Sequence, residues 1–287
     1  CRLRPARNRS CSATGERTSD PSRTIGGMTF TDTHCHIHEK SYQAPDEALT
    51  RAYNAGVERM ICVGTDEVTS EEAVVFARQH DNIWSSVGLH PHDAKTGVSA
   101  IQQLESLLKT DKNPHVGKIV AVGESGLDYF YSHSPKETQI AMLEAQLELA
   151  TRYDLPVIFH VRDAFDDFWP IFDQFKNLRG VLHSFTDTSI NLEKALSHGL
   201  YIGVNGISTF TRDAKQRAMF ASIPLENLLL ETDSPFLTPV PHRGMVNEPA
   251  FVTHVAQHIA NLQAINLEEL SRATERNATT LFFKTNT

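Results

Sequence analysis

The sequence predicts an α/β fold of the (β/α)8, or TIM-barrel, class. Eight short apolar runs recur roughly every 20–40 residues with helical patterns between them, as expected of a parallel sheet. Imidazole and carboxylate side chains follow several of these runs, at the end of a barrel where catalytic groups gather. An open doubly wound sheet is the alternative, but its first strand normally precedes a glycine-rich phosphate turn. Here that position holds His34-Cys35-His36.

Each predicted strand is a short apolar run that ends close to a polar or glycine residue. The segments between the runs are long enough for the crossover helix that parallel neighbours require. The predicted strands are Thr29–His34, Arg59–Gly64, Ile83–Leu89, Ile119–Gly123, Pro156–His160, Gly180–His183, Tyr201–Val204 and Leu228–Glu231.

The fourth predicted helix carries the fullest start signal. Ser134 stands at the expected N-cap, Pro135 at the first helical position and Glu137 at the capping-box position. We therefore expect a helix that begins after Ser134 and ends near Tyr153.

Other helix ends have simpler signals. A helix is predicted to start at Thr69 and to end near His80. Gly56 and Gly199 stand where a helix C-terminus needs a left-handed residue. The segment from Glu248 to Phe283 is expected to form two closing helices.

The chain divides into two regions of different composition. Residues 1–27 have six Arg against Glu16 and Asp20, a charge of +4, and almost no large apolar residues, so we expect a disordered leader or an added extension. Because the whole chain has a net charge of -8, residues 28–287, the predicted barrel, carry -12. This acidity argues against a broad nucleic-acid surface. It does not exclude a small site where metal ions neutralise a phosphate.

Two further features bear on location. No apolar run reaches the length of about 18 residues that a membrane span needs, so we expect no membrane association. Cys1 and Cys11 lie in the leader, and Cys35 and Cys62 lie in predicted strands without the spacing of a zinc or disulfide framework. Reduced packing cysteines are the expectation, in a cytoplasmic protein.

The first strand presents two histidines. His34 and His36 are two residues apart, so strand alternation puts both on one face, while Cys35 points to the other. Two such imidazoles can converge on a metal ion. Taken alone, a pair of structural histidines explains the pattern equally well.

Two carboxylates end apolar strands. Glu124 follows Ile119–Gly123, and a carboxylate there is costly unless a cation or metal ion compensates it. Asp233 is a candidate metal ligand and general base. The alternatives are a salt-bridged structural residue for Glu124 and an Asx turn for Asp233.

His160 and His183 end consecutive strands in the same register, which favours a ligand pair over two hydrogen-bonded core histidines.

Other residues near the predicted strand ends are weaker candidates for binding substrate. His90, Arg162 and Arg243 are candidate phosphate contacts, although surface salt bridges explain the arginines equally well. His92 is expected to be a loop residue. Stacking on a base and packing within the loop are both open for Tyr129 and Tyr131.

Together these stretches resemble the TatD family of metal-dependent hydrolases, among the amidohydrolase-like barrels. The resemblance runs from about Met28 to the end of the chain. The resemblance is based on seven stretches, which are Asp32-Thr-His-Cys-His, Gly88-Leu-His-Pro, Gly123-Glu-Ser-Gly-Leu-Asp-Tyr, Val157-Ile-Phe-His-Val-Arg-Asp-Ala, Val181-Leu-His-Ser-Phe-Thr, Leu230-Glu-Thr-Asp-Ser-Pro-Phe-Leu and Pro239-Val-Pro-His-Arg-Gly.

The resemblance implies a TIM barrel with two divalent metal ions and a deoxyribonuclease activity, including exonucleolytic trimming. His34, His36 and Asp233 would hold one ion, Glu124 would bridge, and His160 and His183 would hold the other. Two positions depart from the family: Ser125 stands where Ile or Thr is usual, and Met245 and Val246 stand where a Lys and a polar residue often follow. The second departure would weaken a phosphate contact without affecting the metal ions.

We therefore expect a monomeric metal-dependent hydrolase that cleaves phosphodiester bonds at DNA ends, with Asp233 and Glu124 as catalytic residues. The ligand types suit Zn²⁺ or Mn²⁺, and nucleases commonly use Mg²⁺. A deacylase or esterase acting on a small substrate or on aminoacyl-tRNA is the alternative, since the acidic body suits it. A non-enzymatic metal-binding or interaction protein is a third possibility, which the intact ligand set disfavours.

Overall fold

A computed structural model of the chain describes residues 27–111, 117–131 and 133–283. Eight strands form one sheet in the order of the sequence, and each neighbouring pair is parallel. The strands are β1 (Phe30–Cys35), β2 (Val57–Val63), β3 (Ile83–Val87), β4 (Ile119–Asp128), β5 (Val157–Arg162), β6 (Gly180–Leu182), β7 (Tyr201–Val204) and β8 (Leu228–Leu230).

The sheet curls into the predicted barrel. The chain just after β8 meets β1, since the Asp233 N–H donates to the His34 carbonyl at 2.8 Å and the His36 N–H donates to the Ser234 carbonyl at 2.8 Å. These two hydrogen bonds join the first and last strands at their carboxyl ends.

Helices alternate with the strands around the outside. The helices are α1 (Pro45–Asn54), α2 (Glu67–Arg78), α3 (Val98–Thr110), α4 (Lys136–Tyr153), α5 (Phe165–Phe172), α6 (Ser189–Ser197), α7 (Ile207–Phe210), α8 (Ala214–Ser222), α9 (Val252–Leu262) and α10 (Leu267–Phe282). The last two are the predicted closing pair. None of the helices in the described ranges has the length and apolar character needed to cross a bilayer.

Two apolar cores separate along the strands. Outward side chains such as Met60 and Phe159 pack under the helices, whereas Ile61 and Ile158, one position away on the same strands, point inward. Alternation along each strand produces this division. The inner cluster consists of Ile61, Val63, Val120, Ala121, Ile158, Val181 and Leu229, packed against Ala278, Leu281 and Phe282 of α10.

Two predicted helix starts are wrong. Ser134 does not cap α4, because its hydroxyl donates to the His92 carbonyl at 2.7 Å and accepts from the Lys95 N–H. Asp66 rather than Thr69 caps α2, and Thr69 is its capping-box partner three residues on. The predicted end at Tyr153 is confirmed, as are the left-handed glycines after α1 and α6.

The fourth strand is longer than predicted. It continues through Glu124 to Asp128, because Gly126 pairs with His160 on β5 beyond the expected end. A Cβ at Gly126 would collide with the His160 carbonyl oxygen, so this approach needs glycine. The extension carries the chain from the candidate ligand Glu124 to Asp128 on the same side of the barrel. The leader predicted at residues 1–27 lies outside the described residues apart from Gly27.

Candidate metal centre

The first strand brings His34 and His36 together as predicted. Their Nε2 atoms are 3.1 Å apart, and both side chains are buried. The Nδ1–H of His36 donates to the Val63 carbonyl at 2.9 Å, which directs Nε2 to the barrel axis. Cys35 lies between them in the outer core, on the opposite face, and like Cys62 it is a free thiol.

Glu124 lies at the centre of the group with one oxygen facing each side. Its Oε2 is 3.4 Å from Nε2 of His34. Its Oε1 is 2.8 Å from Nδ1 of His160, 3.6 Å from Nε2 of His90 and 3.8 Å from Nε2 of His183. Burial alone would raise the pKa of this carboxyl, but the surrounding imidazoles hold the pKa well below its usual value. Glu124 is therefore an anion with both oxygens available.

Asp233 completes the group from the loop after β8. Its Oδ1 is 3.3 Å from Nε2 of His36 and 3.6 Å from Nε2 of His34. Burial raises the pKa of Asp233, but the hydrogen bond with His36 and the nearby imidazoles outweigh burial and lower the pKa. The backbone of Asp233 is left-handed, with φ at 58°. The carboxylate thus faces the histidines rather than its own turn.

These side chains suit divalent metal ions. Within the described part of the chain, three groups have donor atoms that all lie within 4.8 Å of one another. The groups are His34, His36 and Asp233; His34, Glu124 and His183; and His90, Glu124 and His160. Buried imidazole and carboxylate donors at this density are expensive without a cation between them.

The ring nitrogens that face away from the centre also support binding of metal ions by these histidines. A metal-bound histidine usually donates its other N–H to a carboxylate or carbonyl, which fixes the ring. His36 does this with Val63, the Nε2 of His160 is 2.9 Å from Asp128, and the Nδ1 of His183 is 3.0 Å from Glu231. Each ring therefore presents its remaining nitrogen to the shared centre.

His90 lies beside Glu124, and its role as a phosphate contact stays a prediction. Its Nε2 is 3.6 Å from Oε1 of Glu124, and its Nδ1 accepts the His92 N–H at 3.1 Å. Burial lowers the pKa of His90 to about 3, so the ring is neutral. A neutral imidazole in this position can act either as a ligand or as a contact to substrate.

Three further buried carboxyl groups surround the histidines and were not among the predicted site residues. Glu231 accepts the Ser184 N–H at 2.7 Å and fills the space left by Gly203, where a Cβ would collide with it. Asp128 lies beside His160, and Asp32 accepts the Thr232 N–H at 2.9 Å. Glu231 and Asp32 each lie two residues before a predicted ligand. Strand alternation would therefore have placed both on the same face as that ligand.

The two arginines lie further out. The Arg162 guanidinium is 3.8 Å from the Phe130 ring centroid. Arg243 is 3.8 Å from the ring centroid of Phe210 and donates to the Thr238 carbonyl at 2.6 Å. These contacts are with aromatic rings and backbone, and not the salt bridges that were the alternative.

The loop tyrosines and His92 have different environments. Tyr129 reaches α5, where its hydroxyl donates to Asp167 at 2.9 Å, whereas Tyr131 is exposed. The prediction of a loop residue at His92 is wrong, because His92 lies in a short 3-10 helix, Pro91–Thr96. It is 3.2 Å from Asp128 and its ring contacts His90, so it borders the centre.

Comparisons with known proteins agree with this geometry. Residues 31–283 match the TatD-related DNase family. The chain is 36% identical over 255 residues to the uncharacterized metal-dependent hydrolase YabD of Bacillus subtilis, covering 88% of this chain and 98% of that protein. It is 35% identical over 245 residues to the Escherichia coli 3′-5′ ssDNA/RNA exonuclease TatD, covering 83% and 92%.

A solved structure extends the comparison to the fold. The crystal structure of YjjV, a TatD homologue from Escherichia coli, superposes with a TM-score of 0.82 at 32% identity, covering 89% of this chain and 98% of that one. The TIM barrel and the family resemblance predicted from the sequence are both confirmed.

Proposed function

The chain belongs to the TatD-related DNase family and is a metal-dependent hydrolase, and from that premise we propose an exonuclease that trims DNA ends at a centre of two divalent ions. Relatives at this identity are named as exonucleases of single-stranded DNA and RNA, which supports a nucleic-acid substrate. The proposal concerns the bond that is cleaved and the number of ions.

The position of Glu124 carries this proposal. Its two oxygens face different histidines, as a carboxylate that bridges two ions requires. We assign His34, His36 and Asp233 to one ion and His160 and His183 to the other. His183 lies close to both halves, since its ring stacks on His34 at 3.5 Å between centroids and its Nε2 is 3.8 Å from Oε1 of Glu124.

Two bound ions would lower the pKa of a shared water and offset charge on the phosphate oxygens. Asp233 is the proposed group that orients this water and accepts its proton, because its carboxylate is anionic and faces the histidines. Glu124 holds the two halves at a fixed separation. The neutral His90 is the proposed hydrogen-bond partner of a phosphate oxygen, and Arg162 and Arg243 are proposed contacts further along the substrate.

The types of ligand in the centre favour some divalent ions over others. Imidazole nitrogens suit Zn²⁺ and Mn²⁺, whereas carboxylate oxygens and phosphate suit Mg²⁺ and Mn²⁺. Mn²⁺ satisfies both sets of donors, so we propose it as the most effective ion in reconstitution.

The test is a panel of substrates given to chelator-stripped protein with each ion added back. Single-stranded DNA labelled at the 3′ or the 5′ end, RNA, and ester or lactone substrates are assayed in parallel. We expect stepwise shortening of DNA that requires added metal, and loss of this activity in Asp233→Asn. Asp46→Asn is the matched control, since Asp46 is an exposed carboxylate on α1. Metal-dependent DNA cleavage by Asp233→Asn at the wild-type rate would contradict the mechanism.

An esterase or deacylase with the same centre is the second candidate. The charge of -12 on residues 28–287 favours a small ester substrate, because such a body repels a long polyanion. Turnover of an ester or of aminoacyl-tRNA at rates well above those on DNA would replace the nuclease proposal with this one.

We also propose that the protein is a cytoplasmic monomer. The free thiols of Cys35 and Cys62 suit a reducing compartment. Light scattering after size exclusion tests the monomer, and a mass of twice the chain would contradict it.

A further inference from the structure

Two adjacent aromatic residues stand exposed beside the metal centre. Phe130 and Tyr131 lie two and three residues after β4, and 54% and 44% of their surfaces remain accessible. Their rings contact each other edge to face, with centroids 4.7 Å apart. Tyr129, the residue before them, is engaged by two helices instead, since Lys136 of α4 lies over its ring and its hydroxyl donates to Asp167 of α5. Large apolar side chains left exposed together are typical of a binding surface.

The loop that carries these rings is fixed to the candidate centre. The Tyr131 N–H donates to Oδ1 of Asp128 at 2.9 Å. The other oxygen of Asp128 is 2.9 Å from Nε2 of His160 and 3.2 Å from Nε2 of His92. One carboxylate therefore orients a candidate ligand and holds the exposed rings at a set distance from it.

A continuous series of rings joins the exposed pair to the centre. The ring of Tyr131 is 5.5 Å from that of His92, which is 4.4 Å from that of His90. His90 is in turn 4.4 Å from His160. His133 stacks on Tyr131 at 5.6 Å with 21° between the planes. The exposed surface is thus continuous with the site where a phosphate would be cleaved.

Positive charge lies on the same surface. The Arg162 guanidinium is 3.8 Å from the Phe130 centroid and 5.0 Å from the Tyr131 centroid. In the described ranges Arg162 has no carboxylate within ion-pair distance, so the charge remains available to an anion. On a barrel of net negative charge, a cation held over two rings matches a nucleotide, which offers a flat base and a phosphate together.

We propose that Phe130, Tyr131 and Arg162 form a base-stacking platform for a single-stranded segment of the nucleic acid whose end lies at the metal centre. This inference rests on the proposed nuclease function. Aromatic rings stack on any base, so the platform binds without sequence preference. Paired bases are stacked within a duplex, and the platform therefore favours single strands over blunt duplex ends.

The test separates strand binding from chemistry. The double variant Phe130→Ala with Tyr131→Ala is compared with wild type on a single-stranded DNA oligonucleotide and on bis(p-nitrophenyl) phosphate, a diester that has no strand beyond the scissile phosphate. We expect KM for DNA to rise about tenfold or more, kcat to change less than about twofold, and turnover of the small diester to persist. The control is Tyr53→Ala, another exposed aromatic residue, on α1.

Replacement at Phe130 alone shows whether the planar ring matters. Phe130→Trp is expected to keep the wild-type KM, and Phe130→Leu, which keeps apolar area without a ring face, is expected to lose most of the affinity. Equal recovery by Leu and Trp, or an unchanged KM in the double variant, would overturn the platform while leaving the nuclease function intact.

Binding measured without turnover distinguishes failure of the platform from failure of the proposed function. Fluorescence anisotropy of labelled oligo-dT is recorded with Asp233→Asn, alone and combined with the double variant. Binding weakened about tenfold by loss of the rings supports the platform. If wild type hydrolyses esters and no nucleic acid, and oligo-dT binds equally with and without the rings, both proposals fail.

Discussion

The two halves of the barrel interior are built by the same strands and have opposite properties. The lower half is apolar and closed by α10, with Ile158, Val181 and Leu229 among its members. Two residues after these positions, at the carboxyl ends of the same strands, lie His160, His183 and Glu231. Alternation thus carries an apolar layer directly into a layer of candidate ligands. The lower layer stabilises the fold, and the upper layer costs stability that binding of metal ions would return.

The largest expected effect comes from the centre of the upper layer. Glu124→Gln keeps the size of the side chain but removes the charge between the two proposed ions. We expect kcat to fall on the order of 10³-fold or more, as for a member of a catalytic unit, with an unchanged circular dichroism spectrum. Glu47→Gln, on the exposed face of α1, should retain full activity. Near-wild-type turnover by Glu124→Gln in excess metal would remove the distinction between the two layers.

Asp32 lies at the boundary between the layers and should make the free energy of unfolding depend on pH. Burial raises the pKa of Asp32 to about 8 despite its hydrogen bonds with Thr232. Between about pH 4 and 8 the folded chain therefore holds a proton that the unfolded chain has released, so the free energy of unfolding falls as pH rises. Asp32→Asn removes this titration.

Urea unfolding of chelated protein across that range tests the sign. As pH rises, we expect the free energy of unfolding of the variant to increase relative to that of wild type by up to about 1.4 kcal/mol per pH unit. A difference that does not change with pH would show that Asp32 is already ionised in the folded protein.

A substitution in the lower layer should lower the free energy of unfolding and leave catalysis nearly unchanged. Ile158→Ala removes a fully buried side chain beneath His160 and is expected to cost about 2–5 kcal/mol. Chemical denaturation measures this loss, and kcat per folded molecule should change little. Val68→Ala, an exposed aliphatic residue on α2, is the matched control. A loss of metal binding with unchanged stability would contradict the division of roles.

Glu231 supports the upper layer from behind and should have the smallest effect. Burial alone would lower the pKa of His183, but Glu231 and Glu124 raise it to about 10, so a proton must leave before His183 binds a metal ion. Glu231→Gln is expected to weaken metal affinity by about 10–100-fold and to make that affinity less dependent on pH. Calorimetric titration at pH 6 and 8 measures both. An unchanged affinity at both values would mean that Glu231 only packs.

The sequence predicted those features that depend on local periodicity. Strand alternation placed His34 and His36 on one face of the first strand, and the strand ends placed His160 and His183 at the same end of the barrel. The same rule, applied one step further, would have found Glu231.

Features that depend on contacts between distant segments were not predictable in this way. Ser134 has a good capping sequence, but its hydroxyl is engaged by His92 and Lys95 from another part of the chain. His90 approaches Glu124 because of the turn after β3, whose geometry no periodicity records. The extension of β4 depends on pairing with β5, which is again a tertiary effect.

We propose that the upper layer holds two ions, with Glu124 between them. Titration of chelator-stripped protein with Mn²⁺, followed by electron paramagnetic resonance, counts the ions and reports whether they interact. We expect two Mn²⁺ per chain with a spin-coupled spectrum, and loss of that coupling in Glu124→Gln. Binding of a single ion, or of two ions with uncoupled spectra in the wild-type protein, would contradict it.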